Sequence, residues 1–250
     1  MNYLALCQRF YRESGESFVK PDTVEGVSGY DALVVGWINQ SWLAIQKDRR
    51  ARGRWKWAWR EWAMDIGPDA RDYDKPWFTR HQTPGGIWGQ SRFGEFVWGD
   101  PGQSATVAIE VIAPESLTIE PKDAPGQAQP LVPQTWFDMR RGSRVAASGR
   151  PRRFAELDNG KIRFDCVPDR IYTVRGEGWL GPWSLLRNTD EPDMPERFHM
   201  LIVYQALLDY GRWESAGEQY RAAEVAAARL WAELLQQQTS KVMLRRRPLA

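Results

Sequence analysis

Two histidines, two cysteines and a set of tryptophans interleaved with arginine are the groups in this 250-residue chain from which chemistry could be built. His81 and His199 each lack a companion at metal-ligand spacing such as HExxH, so neither has a second member for a zinc or general-base site. His199 stands at the start of an amphipathic stretch, where a capping or packing role is expected. His81 falls in a segment that reads as a loop, between Phe78 and Gly85-Gly86. Cys7 and Cys166 are far apart and form no CxxC, which excludes a disulfide framework and fits a reducing compartment. Neither a GxSxG elbow, a GxGxxG dinucleotide turn nor a GxxxxGK[ST] phosphate loop is expected. Carboxylates are plentiful but interleaved with basic residues, as on a solvated face, and no pair stands out for acid–base work. The expectation is a protein that is not an enzyme and that uses neither metal nor cofactor.

The second constellation is aromatic and basic. Arg49, Arg50, Arg52, Arg54, Lys56 and Arg60 surround Trp55, Trp57, Trp59 and Trp62. Aromatic rings among cations can stack bases and track phosphates, and they can also bind sugar rings. Strict alternation equally suits a strand that buries Trp55, Trp57 and Trp59 and leaves Lys56 and Arg60 in solvent. A subunit interface is a further reading, because tryptophan and arginine are enriched there. A second basic stretch, Arg140, Arg141, Arg144, Arg150, Arg152 and Arg153, is either a solvated loop or a face toward DNA or an acidic partner.

Composition sets the wider bounds. Apolar residues make up 42% and charged residues 26%, ordinary values for a folded globular chain. The net charge of +2 gives no global field toward nucleic acid or membrane. No apolar run reaches the roughly 18 residues of a membrane span, and the opening Met1–Phe10 lacks the pattern of a signal peptide. A soluble product made in the cytosol, without a membrane anchor, is expected.

Periodicity then divides the chain. Tyr3, Leu6, Cys7 and Phe10 recur at helical spacing and predict a first helix ending near Ser14-Gly15. Ser28 is placed to cap a second helix running to about Arg49, with Leu33, Trp37, Gln40 or Ser41, and Ile45 on one face and Val34, Ile38 and Trp42 widening it. The period changes to two at Trp55-Trp57-Trp59. Further strands are predicted over 92–98, 105–112, 134–139, 152–157, 161–166 and 170–174, with Asp158-Asn159-Gly160 as the strongest hairpin signal. Residues 121–133, rich in Pro, Gly, Ala and Gln, read as a long exposed loop. Pro195 opens a helix that Gly211 is expected to end, and a last helix spans about 214–238. Arg245-Arg246-Arg247 lies in a nonperiodic basic tail. The expected fold class is α+β: a helical bundle formed by residues 1–50 and 190–240, an inserted antiparallel β-rich domain over 51–189, and a tail over 241–250.

Two segments carry a resemblance. Leu4-Ala5-Leu6-Cys7-Gln8-Arg9 with Val35-Gly36-Trp37-Ile38-Asn39-Gln40-Ser41-Trp42-Leu43-Ala44-Ile45-Gln46 resembles the N-terminal part of head–tail adaptor proteins of tailed double-stranded DNA bacteriophages. The closing pattern is similar too: Pro168-Asp169, Tyr172, Asp190-Glu191-Pro192, Pro195-Glu196-Arg197-Phe198-His199 and Ala206-Leu207. Nothing comparable is recognised from about residue 67 to 134. The resemblance implies a structural virion protein at the head–tail junction: a ring, commonly of twelve copies, docked beneath the portal and offering the attachment surface for the tail or nozzle. Genomic DNA would pass transiently through its lumen. By position alone, Lys241, Arg245, Arg246 and Arg247 would reach the portal. Arg54, Trp55, Trp57, Arg140, Arg141 and Arg144 are the candidates for a subunit interface or a DNA-facing surface. The competing classes are a nucleic-acid-binding protein that uses a Trp/Arg-rich β surface and a carbohydrate-binding recognition module.

Overall fold

The structure, a computed structural model, describes residues 1–15, 20–51, 54–82, 104–142 and 147–239. Its helices are α1 (Tyr3–Ser14), α2 (Gly29–Gln46), α3 (Trp136–Gly142), α4 (His199–Trp213) and α5 (Gly217–Gln238). Its strands are β1 (Trp59–Ile66), β2 (Asp72–Asp74), β3 (Trp77–Gln82), β4 (Ser104–Ile112), β5 (Thr118–Pro121), β6 (Gln129–Pro130), β7 (Val132–Pro133), β8 (Ser148–Gly149), β9 (Arg153–Glu156), β10 (Lys161–Phe164), β11 (Val167–Pro168) and β12 (Tyr172–Leu180). Most of the described pairings are antiparallel, β8 with β11 and β7 with β9 being parallel, and the fold is α+β. The chain forms two compact units, Met1–Ala58 with everything from Pro182 onward, and Trp59–Gly181. No described helix is long and apolar enough to cross a membrane.

In the helical unit α1 begins where the Asn2 side chain accepts from the Ala5 amide at 2.9 Å and stops at Gly15, which takes the left-handed φ of 87°. Between these caps Tyr3, Leu6, Cys7, Phe10, Tyr11 and Ser14 are buried, one helical stripe. α2 buries Val34, Ile38, Ser41, Trp42 and Ile45, so Leu33 and Gln40 point away from the core, contrary to the expected face. It ends at Gln46, short of Arg49. α4 is the centre of the unit: α1, α2 and α5 all pack on it. Gly211 does not end α4, which runs on to Trp213. A Cβ at Gly211 would stand 2.9 Å from that of Tyr220, so the missing side chain lets α5 cross close by. The turn between them contains Ser215 at φ 57°, and α5 starts at Gly217 rather than Glu214.

The β unit holds a six-stranded sheet in the order β3-β4-β12-β5-β6, with β1 along the other side of β12. A four-stranded sheet, β2-β10-β9-β7, and the pair β11-β8 complete it. β12 alternates Tyr172, Val174, Gly176, Gly178 and Leu180 inward against Trp62 and Ile66 of β1. Asp158-Asn159-Gly160 turns β9 into β10, with Gly160 at φ 79°.

Two strand expectations and two loop expectations change. Lys56–Ala58 is a 3₁₀ turn, and β1 begins only at Trp59. Residues 134–139 carry helix α3, because Thr135 and Asp138 form a reciprocal cap: the Asp138 amide lies 3.2 Å from the Thr135 hydroxyl, which donates to the Asp138 carboxylate at 2.6 Å. Residues 121–133 are not one loop, since β6 and β7 occupy the end of the segment. His81 lies in β3, opposite Ala105, rather than in a loop. The strand expected over 92–98 lies outside the described residues.

Candidate interaction surfaces

Three arrangements stand out, two in the helical unit and one in the β unit. The first is a set of side-chain amides and carboxylates that clasps the chain ends. Asn39 accepts from the Leu185 amide at 2.9 Å. Gln46 both donates to the Trp183 carbonyl at 2.9 Å and accepts from the Trp183 amide at 3.1 Å. Asp190, buried, accepts from the amides of Leu186 and Arg187 at 2.6 and 2.9 Å. The main chain closes the same seam, with Tyr3 donating to the Asp190 carbonyl at 2.7 Å. His199 joins it: Nδ1 lies 2.8 Å from the Met1 amine and Nε2 2.7 Å from the Met194 carbonyl. Burial holds this imidazole below its ordinary range, and the adjacent amine acts in the same direction.

The second arrangement is a pair of uncovered helix faces. α2 has a single charged side chain, Asp31, and that carboxylate accepts from the Tyr11 hydroxyl. Its outward side, Leu33, Gln40 and Ala44, therefore carries no charge although it is exposed, with Leu33 at 42%. α5 buries only Ala223, Ala227 and Leu234 of its 22 residues, and its exposed side mixes Ala222, Val225, Ala228 and Ala232 with Glu218, Arg221 and Arg229, with Val225 at 74% exposure. α2, apolar around most of its circumference, has the pattern of a helix with neighbours on more than one side.

The third is the outward face of the six-stranded sheet. Along β1 the exposed positions are Trp59, Glu61, Ala63 and Asp65. Their partners on β12 are Trp179, Glu177, Arg175 and Thr173. A cavity of about 370 Å³ opens here, lined by Glu61, Trp62, Arg175, Gly176, Glu177 and their neighbours Ala63 and Ser116.

The family model described as SU10 adaptor protein matches residues 1–250 of the chain. The chain belongs to the SU10 adaptor protein family. This is a family of phage head–tail adaptors, structural virion proteins rather than enzymes. None of the curated proteins compared with the chain matches it.

Within the adaptor the residues that sequence singled out are dispersed. Trp55 is buried in the helical unit, donating to the Gln46 carbonyl at 3.1 Å. Trp57 stacks on it at 4.3 Å, and Trp231 of α5 meets Trp55 at 6.4 Å. Arg50 sits 4.5 Å over the Trp231 ring, and Lys56 donates to the Gln237 carbonyl at 2.6 Å. This cluster anchors the end of α5, so most of the Trp/Arg constellation is used in packing. Arg54 and Arg140 are exposed, on different units. The backbone of Arg141 closes α3, whereas Arg144, Lys241, Arg245, Arg246 and Arg247 lie outside the described residues.

Sequence reasoning missed the clasp and the glycines of β12. Contrary to the expectation of no such motif, Gly176-Glu177-Gly178-Trp179-Leu180-Gly181 has the G-x-G-x-x-G spacing of a dinucleotide-binding turn. In the adaptor it lies along a strand, and no helix follows it, so it cannot form that phosphate site. The glycines are explained by packing: Cβ atoms at Gly176 and Gly178 would come within 2.8 Å of Trp62 and 2.6 Å of Ile109. The signal was available in the glycines opposite a tryptophan-bearing strand.

Proposed function

We propose that the chain is one subunit of a ring of twelve copies at the head–tail junction, docked on the portal and presenting the attachment surface for the tail or nozzle. The observation that carries this reading is the pair of unlike, uncovered faces on α2 and α5, both supported by α4. A head-to-tail ring needs two different complementary faces on each subunit, and rotation closes it. Many modest helix–helix contacts add up to firm assembly through multivalency. In this reading Arg54 and Trp57 belong to the subunit contact, and Trp55 supports Trp57 from behind. Arg140, Arg141 and Arg144 face the lumen, where passing DNA requires tolerance of phosphate and not base reading. Lys241, Arg245, Arg246 and Arg247 reach the portal.

Mass photometry of the adaptor with and without portal tests the assembly. Leu33→Glu and Val225→Glu, both at exposed positions, are expected to keep the helical circular dichroism of the parent and to lose the ring. Wild-type assembly by both variants would refute the use of these faces. A chain truncated after residue 240 is expected to fold and to lose co-sedimentation with portal; retained affinity would refute the role of the tail.

A further inference from the structure

We propose that the outward face of the six-stranded sheet, at Trp59, Glu61, Glu177 and Trp179, is a docking surface for a protein segment that presents arginine. The site lies wholly within one β unit, so it does not depend on ring formation.

The register is the starting point. Glu61 stands directly opposite Glu177 across the β1–β12 ladder, and the next pair on the same face is Trp59 opposite Trp179. Like charges directly opposed in an antiparallel pair repel one another. Cations on this face are committed elsewhere: Arg175 pairs with Glu120 at 3.3 Å and Lys122 with Asp65 at 2.5 Å. Glu61 has no ion-pair partner among the described residues, and Glu177 is fixed from one side by the Trp59 indole N–H at 3.2 Å. The contrast with the far end of the same strands is informative. There a groove of about 770 Å³ is walled by the mutually satisfied pairs Lys122–Asp65 and Arg170–Asp123.

An uncompensated carboxylate pair beside the exposed ring of Trp59 and the half-buried Trp179 selects its partner by charge and shape. Phosphate is repelled, which removes nucleic acid. A divalent ion such as calcium needs six to eight oxygen ligands, and no metal-holding group of three His, Cys, Asp or Glu occurs among the described residues. A sugar would use the rings but leave the carboxylate charge unmatched. A guanidinium satisfies all the features, because its planar fork donates to two carboxylate groups while its face lies on an indole.

The test uses the full chain and a fluorescein-labelled synthetic peptide with arginine at alternate positions, beside lysine and citrulline versions of equal length, read by anisotropy at low salt. The arginine peptide is expected to bind and to change tryptophan fluorescence. The lysine version should bind several-fold more weakly, and the citrulline version should not bind. Glu61→Gln/Glu177→Gln should weaken binding by about tenfold or more with a melting temperature no lower than that of the parent, since it removes a repulsion. Trp59→Ala should weaken it as well. Equal binding of the citrulline peptide, or unchanged affinity in the double glutamine variant, would overturn the proposal. So would binding of cello- or chito-oligosaccharides without binding of the arginine peptide.

Discussion

The indole of Trp62 occupies the space that a side chain at Gly176 would need, and a Cβ built on that glycine would lie 2.8 Å from the ring. The two are also cross-strand partners on β1 and β12, so the large residue and the absent side chain are complementary at one register position. Gly176→Ala is expected to destabilise the β unit by about 1–3 kcal/mol through overpacking. Trp62→Ala should cost about 3–5 kcal/mol through the cavity it leaves. Combined, they should cost less than the sum, because the added methyl enters space that the ring has vacated. Urea denaturation of the four proteins measures this coupling.

Asp190 is the charged centre of the clasp. Its carboxylate accepts from two backbone amides, so Asp190→Ala leaves buried donors without an acceptor. A loss of about 2–4 kcal/mol is expected, larger than for Asp190→Asn, which keeps an acceptor oxygen. Equal losses in both variants by chemical denaturation would show that charge, and not acceptor geometry, is what matters there.

His199 makes stability depend on pH. Burial chiefly, then the nearby Met1 amine, lower its proton affinity in the folded state, while the Met194 carbonyl acts in the opposite direction. The unfolded imidazole takes its proton near pH 6.5. The stability that neutral His199 contributes is therefore complete above about pH 6.5, declines below it, and is gone once the pH passes below the folded value. Midpoints of urea unfolding between about pH 5 and 8 should fall more steeply on acidification for the parent than for His199→Gln.

Both thiols are shielded. Burial pushes Cys7 up to about 12 and Cys166 up to about 11, with nearby carboxylates adding to each. Native protein is expected to react slowly with Ellman's reagent at neutral pH, and faster once unfolded, because the thiolate is the reactive form. Rapid native-state labelling of Cys7 would contradict the packing of α1.

The helices were legible because their apolar residues keep one period over many turns: Tyr3, Leu6, Cys7 and Phe10 predicted the buried stripe of α1. Trp55-Trp57-Trp59 misled because alternation over five residues fits a 3₁₀ turn followed by a strand as well as it fits one strand. What decided it was the stacking of Trp57 on Trp55 and the contact of Trp55 with Trp231, a residue remote in sequence. Trp136-Phe137-Asp138-Met139 looked like strand by composition, yet the Thr135–Asp138 cap was readable and was overlooked. The sheet surface was hidden for another reason. That Glu61 faces Glu177 depends on the pairing of strands separated by most of the β unit, and no local pattern contains that register.

Trp59 and Trp179, paired across neighbouring strands, also mark where the polypeptide enters and leaves the β unit. Paired residues of an antiparallel ladder have Cα atoms only about 4.5–5.5 Å apart. An insertion whose two ends emerge side by side places almost no geometric demand on its host, as a lamp does on its socket. Replacing residues 59–181 by a short glycine-serine bridge should therefore leave a helical protein that still folds, and modules of very different size could be spliced at the same junction.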